Sequence, residues 1–109
     1  MQKENLLNVF SALSQGSRLD IFKLLIEYGD EGLSAGDISK KLNITKNTLS
    51  FHLLLLTQAG MLDKKRKGTF IFYSVNFNTV QQLIDFLTED CCRRTKSHTH
   101  THKPIKVCK

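Results

Sequence analysis

Three cysteines, Cys91, Cys92 and Cys108, are the side chains of this 109-residue sequence best suited to chemistry. Two stand side by side, and the third follows after a gap of fifteen residues on a basic, histidine-bearing tail. An odd count of thiols fits poorly with a framework of paired disulfides. It fits well with a soft, thiophilic ion that takes three sulfur ligands. His98, His100 and His102 share that tail, and at a spacing of two they fall on one side of an extended chain. They make Zn(II) a competitor, because three cysteines and one histidine form a tetrahedral zinc set, although this spacing matches no recognised zinc-finger pattern. Cadmium and copper are further thiophilic alternatives. So is a metal-free switch, a reversible disulfide between Cys92 and Cys108. An enzyme is not expected: the sequence has no C-x5-R phosphate loop and no assembled set of acid–base residues.

The elements that must position these thiols are framed by an uneven charge. The formal net charge is +6, but residues 1–39 hold three Lys/Arg against six Asp/Glu, whereas residues 40–76 hold seven against one. The first third repels a polyanion and the middle attracts one. Lys40, Lys41, Lys46 and the run Lys64–Lys67 cluster closely enough to favour nucleic acid over an ordinary solvated face. No stretch approaches the ~18 apolar residues of a membrane helix. The N-terminal MQKENLLNVF lacks the apolar run of a secretory signal. These features predict a cytoplasmic chain with no membrane partner, in a reducing compartment where free thiols persist.

Hydrophobic periodicity predicts a helix over 3–13, with Leu6, Phe10 and Leu13 on one stripe and Leu7 beside them. Gln15-Gly16 breaks it. Ser17 and Asp20 form a capping box for a second helix, with Leu19, Phe22 and Ile26 inward, Leu25 adjacent, and Gly29 at its end. Ser34 and Asp37 repeat the pattern ahead of a short third helix whose Ile38 and Leu42 face the core. After Asn43-Ile44, Thr45 is the expected N-cap of a fourth helix carrying Leu49, Leu53 and Leu56 and stopping at Gly60. Two short helices joined this closely outline a helix-turn-helix. The period then changes: DKKRKG and TFIFYSV read as a β-hairpin turning at Gly68. Residues 77–90 return to helical spacing with Phe77, Val80, Ile84 and Leu87, and Leu83 beside them. The fold class expected is mainly α with a β-hairpin, a winged helix-turn-helix. Residues 1–92 are expected to form the DNA-binding domain, to which the family resemblance below adds dimerisation, and residues 93–109 a flexible tail.

In such a domain the second helix of the pair lies in the major groove with its N-terminal side chains at base edges. Here those are Lys46, Asn47 and Ser50, with Thr45 and Thr48 near phosphates. Asparagine pairs bidentately with adenine, and lysine meets guanine or phosphate. The hairpin offers Lys64, Lys65, Arg66 and Lys67 to the backbone or minor groove. His52, beside the apolar stripe of the same helix, reads as a structural hydrogen-bonder to a nearby backbone group or carboxylate rather than a ligand.

From Leu13 to Val75 the chain resembles the ArsR/SmtB family of dimeric winged-helix metalloregulators. LSQGSRLDIFKLL, with Arg18, is similar to that family's opening helix motif. GDISKKLNITKNTLSFHLLLLTQAGML is similar to its helix-turn-helix, and DKKRKGTFIFYSV to its wing. The resemblance implies a homodimer that holds a palindromic operator in double-stranded DNA when empty and releases it when an inducer binds. The terminal helices would form the dimer contact through Leu6, Leu7, Phe10, Val80, Leu83, Ile84 and Leu87. Two inducer sites of the family are missing. Ser34 and Gly36 stand where one arsenic-sensing group has C-x-C, and Phe77 and Thr79 stand where the zinc site on the last helix needs Asp and His. FLTEDCC, residues 86–92, is instead similar to an arsenic- and antimony-responsive subgroup with a vicinal cysteine pair after the last helix and one more cysteine downstream. The resemblance therefore implies As(III) or Sb(III) on Cys91, Cys92 and Cys108. Arg93, Arg94 and Lys96 favour the thiolates, while Glu89 and Asp90 oppose them.

Overall fold

The fold begins with an N-terminal helix whose inward stripe is rotated from the expected one. The computed structural model describes residues 1–95; Lys96, His98, His100, His102 and Cys108 lie outside the described residues. Helix α1 (Lys3–Leu13) buries Leu6, Val9 and Ala12. Leu7 and Phe10 are exposed, and Leu13 is half-buried. The smaller Val9 and Ala12 take the positions nearest the core because they let α1 approach its neighbours closely.

Helix α2 (Gly16–Tyr28) starts two residues earlier than the capping box suggests. Gln15, not Ser17, is the N-cap: its side-chain oxygen accepts the Arg18 amide at 2.9 Å. Ile21 and Leu25 are buried, while Leu19, expected inward, is exposed. Leu19, Ile21, Phe22, Leu24, Leu25 and Ile26 surround this helix with apolar groups, so periodicity alone does not select the inner stripe.

Strand β1 (Leu33–Ser34), which the sequence reading does not contain, leads into the helix-turn-helix. Ser34 Oγ accepts the Asp37 amide at 3.2 Å and opens α3 (Ala35–Leu42), as its S-x-x-D pattern requires. Asn43 ends α3 in the left-handed region at φ 54°, a conformation asparagine tolerates well. Helix α4 (Lys46–Gln58) follows, with Leu49, His52, Leu53 and Leu56 buried. Together with Ile21, Leu25, Ile38 and Met61, its leucines form the centre of the core.

Strands β2 (Leu62–Lys67) and β3 (Phe70–Val75) make the expected hairpin, with Gly68 at φ 63° in the turn. The register runs from Leu62 opposite Val75 to Lys67 opposite Phe70. Because β1 pairs with β3 (Leu33 opposite Tyr73, Ser34 opposite Phe72), the sheet order is β1-β3-β2. Gly32 permits that pairing. It sits at φ 66°, and a Cβ there would collide with the Tyr73 carbonyl. Helix α5 (Phe77–Thr88) is capped by Asn76, whose Oδ1 accepts the Thr79 amide at 3.0 Å. The Asn76 backbone amide donates to the Met61 carbonyl at 2.9 Å, tying the start of α5 to the start of the hairpin. Leu6 and Val80 are buried within one chain, so the apolar side chains left outward on the terminal helices are Leu7, Phe10 and Leu87. No helix among the described residues is long and apolar enough to cross a membrane.

One polar contact joins three helices. Arg18 Nε donates to the Ala12 carbonyl at 2.7 Å, and its Nη1 lies 3.3 Å from His52 Nδ1. A guanidinium only donates, so Nδ1 accepts and the imidazole proton resides on Nε2. The partner of His52 is thus a cation, not the backbone group or carboxylate expected. Burial, and secondarily the positive charge of Arg18, hold the His52 pKa below its ordinary 6.5.

Two outcomes follow from this packing. Gly32→Ala forces a Cβ into β3 and a side chain into a left-handed backbone, and should destabilise the fold by about 2 kcal/mol or more in urea melts. For His52, the folded state binds its proton less readily than the unfolded state, so stability is full above about pH 6.5 and declines as pH falls below it. Urea midpoints between pH 8 and pH 5 should show that decline in the wild type and a shallower one in His52→Asn, which keeps an acceptor but cannot titrate.

Candidate nucleic-acid interface and thiol pair

The burial of Leu49, Leu53 and Leu56 fixes which side of α4 faces out. Lys46, Asn47, Thr48 and Ser50 are all exposed, so the expected base-reading side chains stand in solvent at the N-terminal half of the helix. Thr45 occupies the N-cap position with extended backbone (φ −65°, ψ 152°), yet it makes no side-chain cap. Its hydroxyl donates instead to Thr48 Oγ1 at 3.1 Å. The first amides of α4 thereby keep their hydrogen-bonding capacity for an outside acceptor, and the helix dipole favours an anionic one.

The hairpin divides its cations between its two faces. Leu62 and Val75 are opposite each other and buried, so alternation places Lys64 and Arg66 on the same face as Tyr73 and Ile71. Lys65 and Lys67 share the other face with Phe72 and Phe70. Lys64 lines a cleft with Ser50, Leu54, Thr57 and Tyr73, between hairpin and α4. Lys46 and Ser50 line a second cleft of about 400 Å³ with Thr69, Phe70 and Ile71. The basic hairpin and the start of α4 therefore flank the same grooves. Two of the cations also have local contacts: Arg66 Nε donates to the Gly68 carbonyl at 3.2 Å, and Lys67 Nζ lies 5.3 Å from the Phe72 ring centre. Lys40 and Lys41 lie in the last turn of α3, where the helix dipole favours positive charge.

Cys91 and Cys92 lie just past α5, in a series of turns. The Cys91 amide donates to Thr88, that of Arg93 to Asp90, and that of Thr95 to Cys92, at 3.1–3.2 Å. Asp90 and Cys92 adopt positive φ, 62° and 64°. Both thiols are exposed, with their sulfurs 3.4 Å apart, too far for a disulfide and close enough for a thiol hydrogen bond. That hydrogen bond raises the Cys92 pKa, with slight burial and repulsion from Cys91 adding to it. Arg93, expected to favour the thiolates, is instead paired with Asp90 at 3.0 Å. Among the described residues, no three His, Cys, Asp or Glu side chains are gathered as a metal site. Cys91 and Cys92 supply two sulfurs.

Two features of α4 are not apparent from the sequence. The Arg18–His52 contact is one, since it spans 34 positions. The other is Phe51 and Leu54, which are 56% and 50% exposed on α4. Leu54 was legible only as part of the apolar run 53–56, which helical rotation divides between inside and outside.

A family model described as a helix-turn-helix domain matches residues 13–65. The chain is 42% identical over 80 residues to the transcriptional repressor SdpR of Bacillus subtilis, covering 73% of this chain and 86% of that protein. It is 32% identical over 83 residues to the arsenical resistance operon repressor of the same organism, covering 76% and 75%. A homodimeric winged helix-turn-helix DNA-binding domain from Mycobacterium bovis, described as a possible ArsR-family regulator, superposes with a TM-score of 0.65 at 25% identity, covering 92% of this chain and 89% of that one. With this sequence similarity and the observed order of helix-turn-helix, hairpin and terminal helices, the chain belongs to the ArsR family of winged helix-turn-helix transcriptional regulators.

Proposed function

We propose that this chain is a homodimeric repressor that holds a palindromic operator and releases it when As(III) or Sb(III) is bound by Cys91, Cys92 and Cys108. The observation that carries the reading is the exposed pair of sulfurs 3.4 Å apart at the end of α5, on a chain whose α4 and hairpin present the cations of a DNA-binding face. Thr45, Lys46, Asn47, Thr48 and Ser50 take the major groove and its flanking phosphates, and Lys64, Lys65, Arg66 and Lys67 take the backbone or minor groove. The exposed Leu7, Phe10 and Leu87 support a dimer contact along α1 and α5. The two Bacillus relatives named as repressors and the homodimeric structural relative support the same assembly.

The thiol chemistry fits a soft ion. With metal–sulfur bonds of about 2.3 Å, two thiolates on one centre stand roughly 3.3–3.8 Å apart as the angle opens from a right angle to tetrahedral. Cys91 and Cys92 need little rearrangement to meet that span. With the Cys92 pKa raised, ligation must displace a proton, so binding strengthens as pH rises. Cys108 completes a pyramidal site by closing the tail, at an entropic cost of about 2 kcal/mol for a loop of this length. The ligated tail then sits against the dimer helices and shifts the spacing of the two α4 helices. Driving an operator complex from 99% to 1% bound needs about 5.5 kcal/mol of preference for the released state.

Lys65→Ala should weaken binding similarly on all sequences and lower the salt slope by about one, as the loss of one phosphate contact does. For the inducer, the dimer is displaced from its promoter DNA by titrating As(III), Sb(III), Zn(II), Cd(II) or peroxide. Arsenite should release the wild type, Cys91→Ser and Cys92→Ser should need at least about tenfold more, and Cys108→Ser should show an intermediate loss. Unchanged arsenite release in Cys91→Ser or Cys92→Ser sinks the site. Release by peroxide in a strong chelator, with none by arsenite, replaces it with a disulfide switch.

A further inference from the structure

The outward stripe of α4 is not uniformly polar, and its apolar part bears on which bases the helix reads, given the DNA-binding reading above. Asn47, Phe51 and Leu54 stand at i, i+4 and i+7, on the face opposite the buried Leu49, Leu53 and Leu56. Phe51 is 56% exposed. With Leu54 it makes an exposed apolar patch on this face rather than a single scattered side chain, and such a patch rimmed by polar groups marks a contact surface. A second copy of the chain has other apolar groups to meet, Leu7 and Phe10 on α1 and Leu87 on α5. The surroundings of the α4 stripe are cationic and polar instead: Lys46 at its start, Ser50 beside it, and Lys64 across the cleft that Ser50 and Leu54 line. That setting draws a polyanion rather than an apolar protein surface. In the major groove the apolar group on offer is the thymine 5-methyl, and phenylalanine is among the side chains that meet it.

We propose that Phe51 is a specificity-determining residue that packs on a thymine methyl in each half-site. At 1.5 Å per residue, Phe51 lies about 6 Å further along α4 than Asn47, close to two base steps of about 3.4 Å. An adenine paired with Asn47 and the thymine under Phe51 therefore fall within about two base pairs, and the half-site has an A·T-rich centre. Leu54, turned toward the hairpin cleft, borders this contact rather than making it.

The test starts from duplexes that the full chain selects from a random pool. Each thymine of the selected half-site is replaced in turn by deoxyuridine, which lacks only the methyl group. One position should weaken wild-type binding about three- to fivefold, the effect of exposing one methyl. Phe51→Ala should bind more weakly on the thymine duplex and be indifferent to deoxyuridine at that position, while Phe51→Leu keeps part of the sensitivity. Circular dichroism should show the wild-type fold in both variants, because the ring is largely in solvent. Indifference of the wild type to every replacement overturns the inference, as does undiminished sensitivity in Phe51→Ala or dissociation of the dimer by that substitution. If the wild type selects no duplex, the DNA-binding reading itself falls. If it selects duplexes but ignores the methyl groups, only the role of Phe51 falls.

Discussion

Leu49, Leu53 and Leu56 hold α4 in the core from one side, and every exposed group on that helix takes its direction from them. A helix half immersed in a packed interior rotates little, since turning it would expose leucine and bury polar groups. Arg18 adds a polar restraint that packing lacks. By reaching the end of α1 through Ala12 and the middle of α4 through His52, it couples the N-terminal helix to α4. Any motion of α1 relative to α4 must stretch that contact. Removing the guanidinium would leave a carbonyl and an imidazole without it, at about 1–3 kcal/mol for each buried group. α1 and α4 are thus joined by a short, specific polar path through Arg18.

Much of this was legible in the sequence because the helix-turn-helix carries strong local signals. The Ser34 cap, the inward Ile38 and the Leu49/Leu53/Leu56 stripe are each set by a few neighbouring residues, and each is found as expected. The hairpin was equally plain from its aromatic and β-branched strand and from Gly68. What was not legible depends on distant partners. Strand β1 has two residues, too few for alternation to register, and exists because β3 offers an edge and Gly32 allows close approach. The inner stripes of α1 and α2 were misread because both helices carry apolar residues on several sides, and only the packed neighbours decide which go in. Phe51 was invisible for the opposite reason: in a leucine-rich helix, an apolar residue reads as core until its angle is known.

The candidate site was legible in its residue types but not in its balance of charge. Cys91 and Cys92 stand out by adjacency alone, but whether nearby arginines would activate them depends on where Arg93 points, and it points to Asp90. The hydrogen bond with Cys91 raises the Cys92 pKa, so an ion binding that sulfur must displace a proton. An ion that must displace a proton there is discriminated by its affinity for sulfur. The same holds at α4. Thr45 had been expected to satisfy the helix amides, and its engagement with Thr48 leaves them available to an anion.

The sheet order β1-β3-β2 gives the cations of β2 a second consequence. β3 is paired on both sides, so β2 is an outer strand whose unpaired backbone groups are a template for a further strand. Asp63, Lys64, Lys65, Arg66 and Lys67 fill nearly all of that strand, and all are exposed. A second copy adding its own β2 there would bring two runs of four positive charges within about 5 Å, the spacing of paired strands. Such pairing is opposed by the charges that favour a polyanion, so the wing stays soluble at an edge that an uncharged ribbon would leave prone to aggregation.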